Sequence, residues 1–178
     1  MENTKWKKGF FHKLICSNFV VMAYSKTISP EQAMQKARHY CAYQERCHQE
    51  VREKLYGFGL AKNVVEQLLC QLIDEDYINE ERFARQFTGG KFRMKGWGRT
   101  RIKNELRQRQ VSDYCIRIAL TEISDSDYEA MLEKLATAKW ESLSRENESL
   151  VKMKKLQDYL LYKGYEWELV QKTIKCLH

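Results

Sequence analysis

The chain has 178 residues, a formal net charge of +7 and an apolar content of 43%. One proline and eight glycines are too few for the frequent turns of an all-β protein, and the apolar content argues against intrinsic disorder. The six cysteines form no CxxC pair, so we predict no metal site and no disulfide framework. We also predict no cofactor. The scatter of the cysteines indicates reduced, mostly buried thiols in a cytoplasmic protein.

Residues 1–28 differ from the rest of the chain. Lys7, Lys8 and Lys13 precede the apolar run LICSNFVVMAY, but Ser17 and Asn18 interrupt that run and no small-residue cleavage site follows it. The run is also too short to span a bilayer. We therefore predict a poorly ordered leader without a membrane role, and Met22 is an alternative translation start.

From Ile28 onward the pattern is helical. A helix can begin at Pro30, because proline loses no hydrogen bond in the first turn. The hydroxyl of Ser29 can cap this helix. Asn79, Ser112 and Asp125 offer further caps. The long helices predicted in this way run from Pro30 to about Tyr43, from Glu80 to about Phe92 and from Ser126 to about Leu143.

Three stretches that begin at Val51, Ile102 and Leu156 align without gaps. Each predicts a helix, a short turn and a second helix. Gly59 and Gly164 occupy the turn in the first and third copies, whereas Gln110 stands there in the second. The aligned apolar sets are Val51, Ile102 and Leu156; Leu55, Leu106 and Leu160; Leu60, Val111 and Tyr165; Val65, Ile116 and Val170; Leu69, Leu120 and Ile174; and Leu72, Ile123 and Leu177.

Because a longer helix precedes each pair, the predicted fold is all-α, a tandem array of three three-helix repeats. A helix pair cannot bury its own apolar face, so neighbouring repeats should stack. The predicted domains are a leader at 1–28, a first repeat at 29–78, a second, basic repeat at 79–124 and a third repeat at 125–178.

The stretch KFRMKGWGRTRIKNELRQR, residues 91–109, holds eight lysines or arginines and one acid, and this basic segment carries a net charge equal to that of the whole chain. We predict a helix that begins near Arg99. On such a helix Arg99, Lys103 and Arg107 lie on one stripe of the surface, and Ile102 and Leu106 face the core. An extended basic surface of this kind suits phosphates or an acidic protein. The residues predicted to bind DNA or a filament are Lys91, Arg93, Lys95, Trp97, Arg99, Arg101, Lys103, Arg107 and Arg109.

Several of these features have more than one interpretation. Trp97 could stack on a base, anchor a protein partner or cap the core. The basic segment could also be a merely solvated face. A cluster of acids could be solvated helix caps or a contact for a basic partner. Its members are Asp74, Glu75, Asp76, Glu80 and Glu81.

No phosphate loop, HExxH or GxSxG motif is present, so no enzyme is predicted.

Residues 31–177 resemble the RecX family, whose members regulate the RecA recombinase. The similarity is strongest over LIDEDYINEERFARQFTGGKFRMKGWGRTRIKNELRQRQV, where Tyr77 to Ala84 and Gly96 to Leu106 match the family's two main motifs. The segment at 42–55 is similar to an earlier family motif. Three positions depart from the usual pattern, with Cys47 in place of serine, Asn79 in place of an acid and Gln110 in place of glycine.

The resemblance implies an elongated crescent of helical repeats that binds the groove of the RecA filament and its single- or double-stranded DNA. It implies a cytoplasmic, monomeric regulator, mostly inhibitory, that acts in recombination, DNA repair and the SOS response. The basic segment would face DNA, and the acids would meet basic RecA surface. Reversing the charges of Arg99, Arg101 and Lys103 should then abolish filament binding and leave the melting temperature nearly unchanged.

Two alternatives follow from the residues themselves. The first is a general nucleic-acid-binding helical-repeat protein that acts independently of RecA. The second is a helical-repeat adaptor that binds an acidic protein and does not involve DNA.

Overall fold

The computed structural model describes residues 28–144 and 148–177, and within these ranges the chain forms nine α-helices and no β-strand. The helices are α1 Pro30–Tyr43, α2 His48–Tyr56, α3 Lys62–Asp74, α4 Glu80–Lys95, α5 Arg99–Gln108, α6 Asp113–Leu120, α7 Asp125–Ser142, α8 Ser149–Lys163 and α9 Trp167–Leu177. None of these helices is long and apolar enough to cross a membrane. The predicted leader, apart from Ile28, and the alternative start at Met22 lie outside the described residues.

The helices pack in three consecutive groups of three: α1 to α3, α4 to α6 and α7 to α9. Within each group every helix contacts the other two. The predicted all-α repeat fold is therefore confirmed, whereas the residue boundaries of the three repeats stay a prediction.

Polar caps fix where most of the helices begin. The side chains of Ser29, Asn79 and Ser112 accept hydrogen bonds from backbone N–H groups three residues ahead, at 3.3, 3.0 and 3.3 Å, as predicted. The cap predicted at Asp125 is wrong, because Ser124 accepts the bond from the N–H of Asp127 at 3.1 Å. Asp125 instead lies in the first turn, where its carboxylate interacts favourably with the helix dipole.

The helix predicted from Glu80 to about Phe92 continues to Lys95. It ends where Gly96 adopts a left-handed conformation with φ 59° and its N–H donates to the carbonyl of Phe92 at 2.9 Å. The extra turn carries Arg93 and Lys95 on a helix and not on a loop.

The aligned apolar positions form the core. Wherever the structure describes their side chains, they are buried except Leu60 and Leu120, which are half-buried. Two clusters result. One belongs to α1, α2 and α3. The other runs without a break through α4 to α9 and also includes Cys47, which directly precedes α2. The second and third repeats therefore share one core, and the first repeat has its own.

The thiols of Cys41, Cys47 and Cys115 are buried, whereas Cys70 and Cys176 are exposed. Burial raises the pKa of the Cys41 thiol to about 11, so it stays protonated at neutral pH. Among the described residues, no group of three or more His, Cys, Asp or Glu could hold a metal ion.

The turn inside each repeat needs a residue with positive φ. Gly59 has φ 78° and Gly164 has φ 92°, and Gln110 adopts φ 59° at the equivalent place in the second repeat. The departure from glycine at this position therefore leaves the turn intact, with a side chain in a conformation that costs about 1 kcal/mol.

Replacing Gln110 by glycine should raise the free energy of unfolding by about 1 kcal/mol, because it removes the left-handed strain at an exposed residue. Thermal and denaturant unfolding measure the change. The same replacement at Gln108, in the regular last turn of α5, should lower stability by about 1 kcal/mol. Equal destabilisation by both variants would contradict the account of this turn.

Candidate nucleic-acid and filament interface

The basic segment bends sharply between two helices. Its first part forms the end of α4, and α5 begins at Arg99 as predicted. Ile102 and Leu106 are fully buried, which confirms the predicted core face. The bend at residues 96–98 divides the cations between several faces, so they do not form one continuous stripe.

The bend packs directly against the third repeat. The N–H of Gly98 donates to the carbonyl of Lys163 at 2.8 Å, and the N–H of Thr100 donates to the carbonyl of Gly164 at 3.1 Å. A β-carbon on Gly98 would overlap the carbonyl group of Gly164, and one on Gly164 would overlap the backbone of Arg101. Glycine at both positions therefore permits main-chain contact between the two repeats.

Arg99 holds the second repeat to the start of α7. Its Nη2 donates to the carbonyl of Ile123 at 3.0 Å and to Oδ1 of Asp125 at 2.7 Å. Its guanidinium carbon lies 4.3 Å from the ring centroid of Tyr128. Arg99 is thus a structural residue, whatever else it contacts.

Tyr128 provides a polar group at the contact between the second and third repeats, which we call the joint. Its hydroxyl accepts from the backbone N–H of Arg99 at 3.0 Å and donates to Oε2 of Glu166 at 2.7 Å. Burial raises the pKa of Tyr128, and the bond to Glu166 acts in the same direction. The hydroxyl therefore stays protonated and remains a donor to Glu166 at neutral pH.

Arg101 lies between two aromatic rings. Its guanidinium carbon is 4.2 Å from the ring centroid of Trp97 and 4.6 Å from that of Tyr162. Its Nη1 also donates to the carbonyl of Tyr162 at 3.1 Å. The planar cation joins α5 to α8, and Arg101 stays partly exposed.

Cations and aromatic rings alternate across this surface. Lys91 Nζ lies 5.1 Å from the ring centroid of Phe87 and 5.1 Å from that of Trp97. The guanidinium carbon of Arg109 lies 4.9 Å from the ring centroid of Phe87. We call this set the cation–aromatic row. Its members, in spatial order, are Arg109, Phe87, Lys91, Trp97, Arg101 and Tyr162.

The row extends from the second repeat to the third, and Tyr162 at its end is 70% exposed. Trp97 packs against the shared core, in agreement with the core-cap interpretation, and two cations already lie over its ring. Sequence reasoning missed Phe87 and Tyr162. The i, i+4 spacing of Phe87 and Lys91 could have indicated the first, but no local pattern indicates the second.

The remaining cations of the segment have different surroundings. Arg107 Nε donates to Oδ1 of Asp113 at 3.0 Å, and this bond lowers the pKa of Asp113. Arg93 lines a cleft between α4 and α7 that also contains Glu122 and Asp127. Lys95 and Lys103 are exposed, and neither has an ion pair within residues 28–144 and 148–177.

Two of the three repeats match family models built from known proteins. Residues 79–120 match the family model for the second three-helix domain of RecX, and residues 127–174 match the model for its third three-helix domain. Together the two matches cover just over half of the chain. The chain belongs to the RecX family.

Individual RecX proteins extend the similarity into the first repeat. The "Regulatory protein RecX" of Prosthecochloris aestuarii is 29% identical over 142 residues, which are 80% of this chain and 91% of that protein. The protein of the same name from Amycolatopsis mediterranei is 28% identical, with 83% and 86% covered. The crystal structure of RecX from Lactobacillus salivarius has a TM-score of 0.73 at 24% identity, with 83% of this chain and 96% of that chain covered.

The acids of this RecX chain mostly bond within the described residues. Arg38 Nε donates to Glu75 at 2.8 Å, Arg85 Nε donates to Glu81 at 2.9 Å, and Ser112 Oγ donates to Glu80 at 2.7 Å. Asp76 accepts from Asn79 and Arg82, and these bonds lower its pKa. Asp74 is exposed and has no such partner in the described ranges. A contact of these acids with a partner stays a prediction.

The bonds that Arg99 and Arg101 form with the third repeat contradict one expectation from the sequence. Reversing Arg99, Arg101 and Lys103 together should not leave the melting temperature unchanged, because Arg99 and Arg101 bond to the third repeat. Any loss of binding in that triple variant would therefore mix loss of contact with loss of structure.

Replacing Gly98 by alanine should lower the free energy of unfolding by about 3 kcal/mol or more, because the methyl group would overlap the carbonyl of Gly164. Thermal unfolding measures this loss. Gly90→Ala in α4 is the control, since a β-carbon there meets no atom within 4 Å, and it should stabilise the chain. Equal unfolding temperatures for the two variants would contradict the proposed main-chain joint.

Replacing Arg99 by glutamate should destabilise the chain by about 2 kcal/mol or more, because the carbonyl of Ile123 loses its donor and Asp125 meets a like charge. The matched change Lys103→Glu, on the same helix but exposed, should cost little. Denaturant unfolding of both variants is the measurement. A loss of stability in Lys103→Glu as large as in Arg99→Glu would overturn the assignment of roles.

Proposed function

We propose that this chain binds the RecA–DNA filament and regulates RecA, mostly by inhibiting its recombinase and ATPase activities in recombination and DNA repair. Membership of the RecX family supports a regulatory role. The observation that carries the finer proposal is the cation–aromatic row, which lies on the rigid joint between the two matched repeats.

The row and the exposed lysines of the basic segment have the chemistry that DNA binding needs. Exposed Lys95 and Lys103 can attract phosphates without breaking a bond within the described chain. Arg101 presents guanidinium donors, and Tyr162 an exposed ring on which a base can stack. A surface that already joins two repeats holds these groups in fixed positions, so little order has to be gained on binding.

In this proposal the protein is a cytoplasmic monomer without catalytic activity, and its contacts with RecA and DNA block filament growth or strand exchange. The alternative is a nucleic-acid-binding helical-repeat protein that acts independently of RecA. The alternative is favoured by the same row, since stacking and phosphate contacts alone would bind bare DNA.

The deciding experiment measures DNA-dependent ATP hydrolysis by RecA on single-stranded DNA with increasing amounts of this chain. We expect inhibition well below one copy per RecA, because one copy that caps a filament or blocks its groove affects many subunits. Unchanged hydrolysis, combined with tight binding to bare DNA and a steep dependence on salt, would favour the alternative.

The double variant Lys95→Glu and Lys103→Glu should inhibit RecA about tenfold less effectively, because two phosphate contacts become repulsive. Its melting temperature should change little, since both side chains are exposed and neither forms an ion pair within the described ranges, although Lys103 lies close enough to help lower the pKa of Asp113. The control, Lys62→Glu with Lys175→Glu, makes the same change of charge at exposed positions in α3 and α9. Equal loss of inhibition in both would mean that net charge matters and the position of Lys95 and Lys103 does not.

A further inference from the structure

A groove runs along one face of α4, between the second repeat and the end of α1 with the start of α2. It has a volume of about 450 Å³. Its floor consists of residues at helical spacing on α4, namely Phe83, Phe87, Gly90 and Met94. Its walls include Glu45, Glu50, Lys91, Lys95 and Arg109. The row described above borders this groove at Phe87, Lys91 and Arg109.

Gly90 has no role that the described chain explains. Glycine weakens a helix interior relative to alanine, and Gly90 lies well inside α4, where no left-handed conformation is needed. A β-carbon on Gly90 would meet no atom within 4 Å, whereas one on its neighbour Gly89 would meet the guanidinium of Arg93. A helix surface without a side chain is what allows another backbone to approach closely.

The floor beside Gly90 is apolar and adaptable. Met94 is 83% exposed, and its flexible thioether can fit the side chains of a partner. Phe87 is half-buried, with part of its ring open to the groove. Together with Gly90 they form a low surface flanked by larger groups, which suits the ridge of a helix.

The charge of the groove is positive on its α4 side. On the opposite wall, one carboxylate oxygen of Glu45 and one of Glu50 are buried without a hydrogen-bond partner in the described residues. Glu45 accepts from Arg82 Nε at 2.6 Å, Glu50 lies 3.9 Å from Arg46, and Arg109 pairs with Glu105 at 2.8 Å. Lys91 faces only aromatic rings, and Lys95 has no carboxylate partner in the part of the chain that the structure describes. An occupant should therefore carry an acid at the C-terminal end of α4, where these two lysines lie.

We propose that this groove docks an α-helix of the protein component of the filament, with its backbone crossing α4 at Gly90 and an acidic side chain beside Lys91. The inference rests on the proposed function and deepens it, because it assigns the end of the row that borders the groove, at Phe87, Lys91 and Arg109, to protein and leaves Arg101 and Tyr162, at the other end, to DNA. The missing side chain at Gly90, between the larger Phe87 and Met94, leaves a depression that fits the ridge of a helix.

The test compares wild type with Gly90→Leu in two assays, inhibition of RecA ATP hydrolysis and affinity for bare single-stranded DNA. The new side chain projects into open space and leucine is a good helix former, so the free chain should unfold at the same temperature or higher. The concentration needed for half inhibition should rise about tenfold or more, and affinity for bare DNA should stay unchanged.

Two further variants keep the result interpretable. Ala138→Leu introduces leucine at an exposed position inside α7, away from the groove, and should inhibit like wild type. Gly90→Ala makes the smallest change at the site, and should weaken inhibition less than leucine does while stabilising the free chain.

Three other outcomes are possible, and each would refute a specific claim. Full inhibition by Gly90→Leu would refute the groove as a docking site and leave the proposed function standing. An equal loss of bare-DNA affinity in Gly90→Leu would identify the occupant as nucleic acid and refute the protein helix. Absence of inhibition by the wild-type chain would refute the proposed function itself, and this inference with it.

Discussion

The architecture depends on one close contact between two backbones. Gly98 and Gly164 let the bend after α4 meet the end of α8, and two main-chain hydrogen bonds join them at 2.8 and 3.1 Å. This contact brings Arg101 between Trp97 and Tyr162 and brings Arg99 to the start of α7. The shared core of the second and third repeats surrounds it. The surface to which we assign filament binding is therefore also the seam that holds two repeats together.

Local patterns in the sequence were sufficient to predict the helices and the repeat. Apolar spacing depends only on which side of a helix faces the core, so the aligned positions were found without knowing how repeats pack. The caps at Ser29, Asn79 and Ser112 also follow from neighbouring residues. The error at Asp125 arose because serine and aspartate are both good caps and stand side by side there, and Ser124 accepts the bond.

The surroundings of the cations could not be predicted in the same way. Arg101 and Tyr162 are 61 residues apart in sequence, and Arg99 and Asp125 are 26 apart. A count of charges treats all eight cations alike, although some hold repeats together and others, such as Lys95 and Lys103, remain open to a partner. The open groove at Gly90 was missed for a related reason, because a glycine inside a helix has no meaning until its surroundings are known.

The central claim is that this RecX chain acts on the RecA filament and not on DNA alone. Co-sedimentation tests it most directly, with the chain mixed either with RecA filaments assembled on single-stranded DNA or with the same DNA free of RecA, at physiological salt. The account predicts that the chain sediments with filaments at concentrations where bare DNA retains little of it. Equal retention by filaments and by bare DNA would contradict the claim and leave a general nucleic-acid-binding protein.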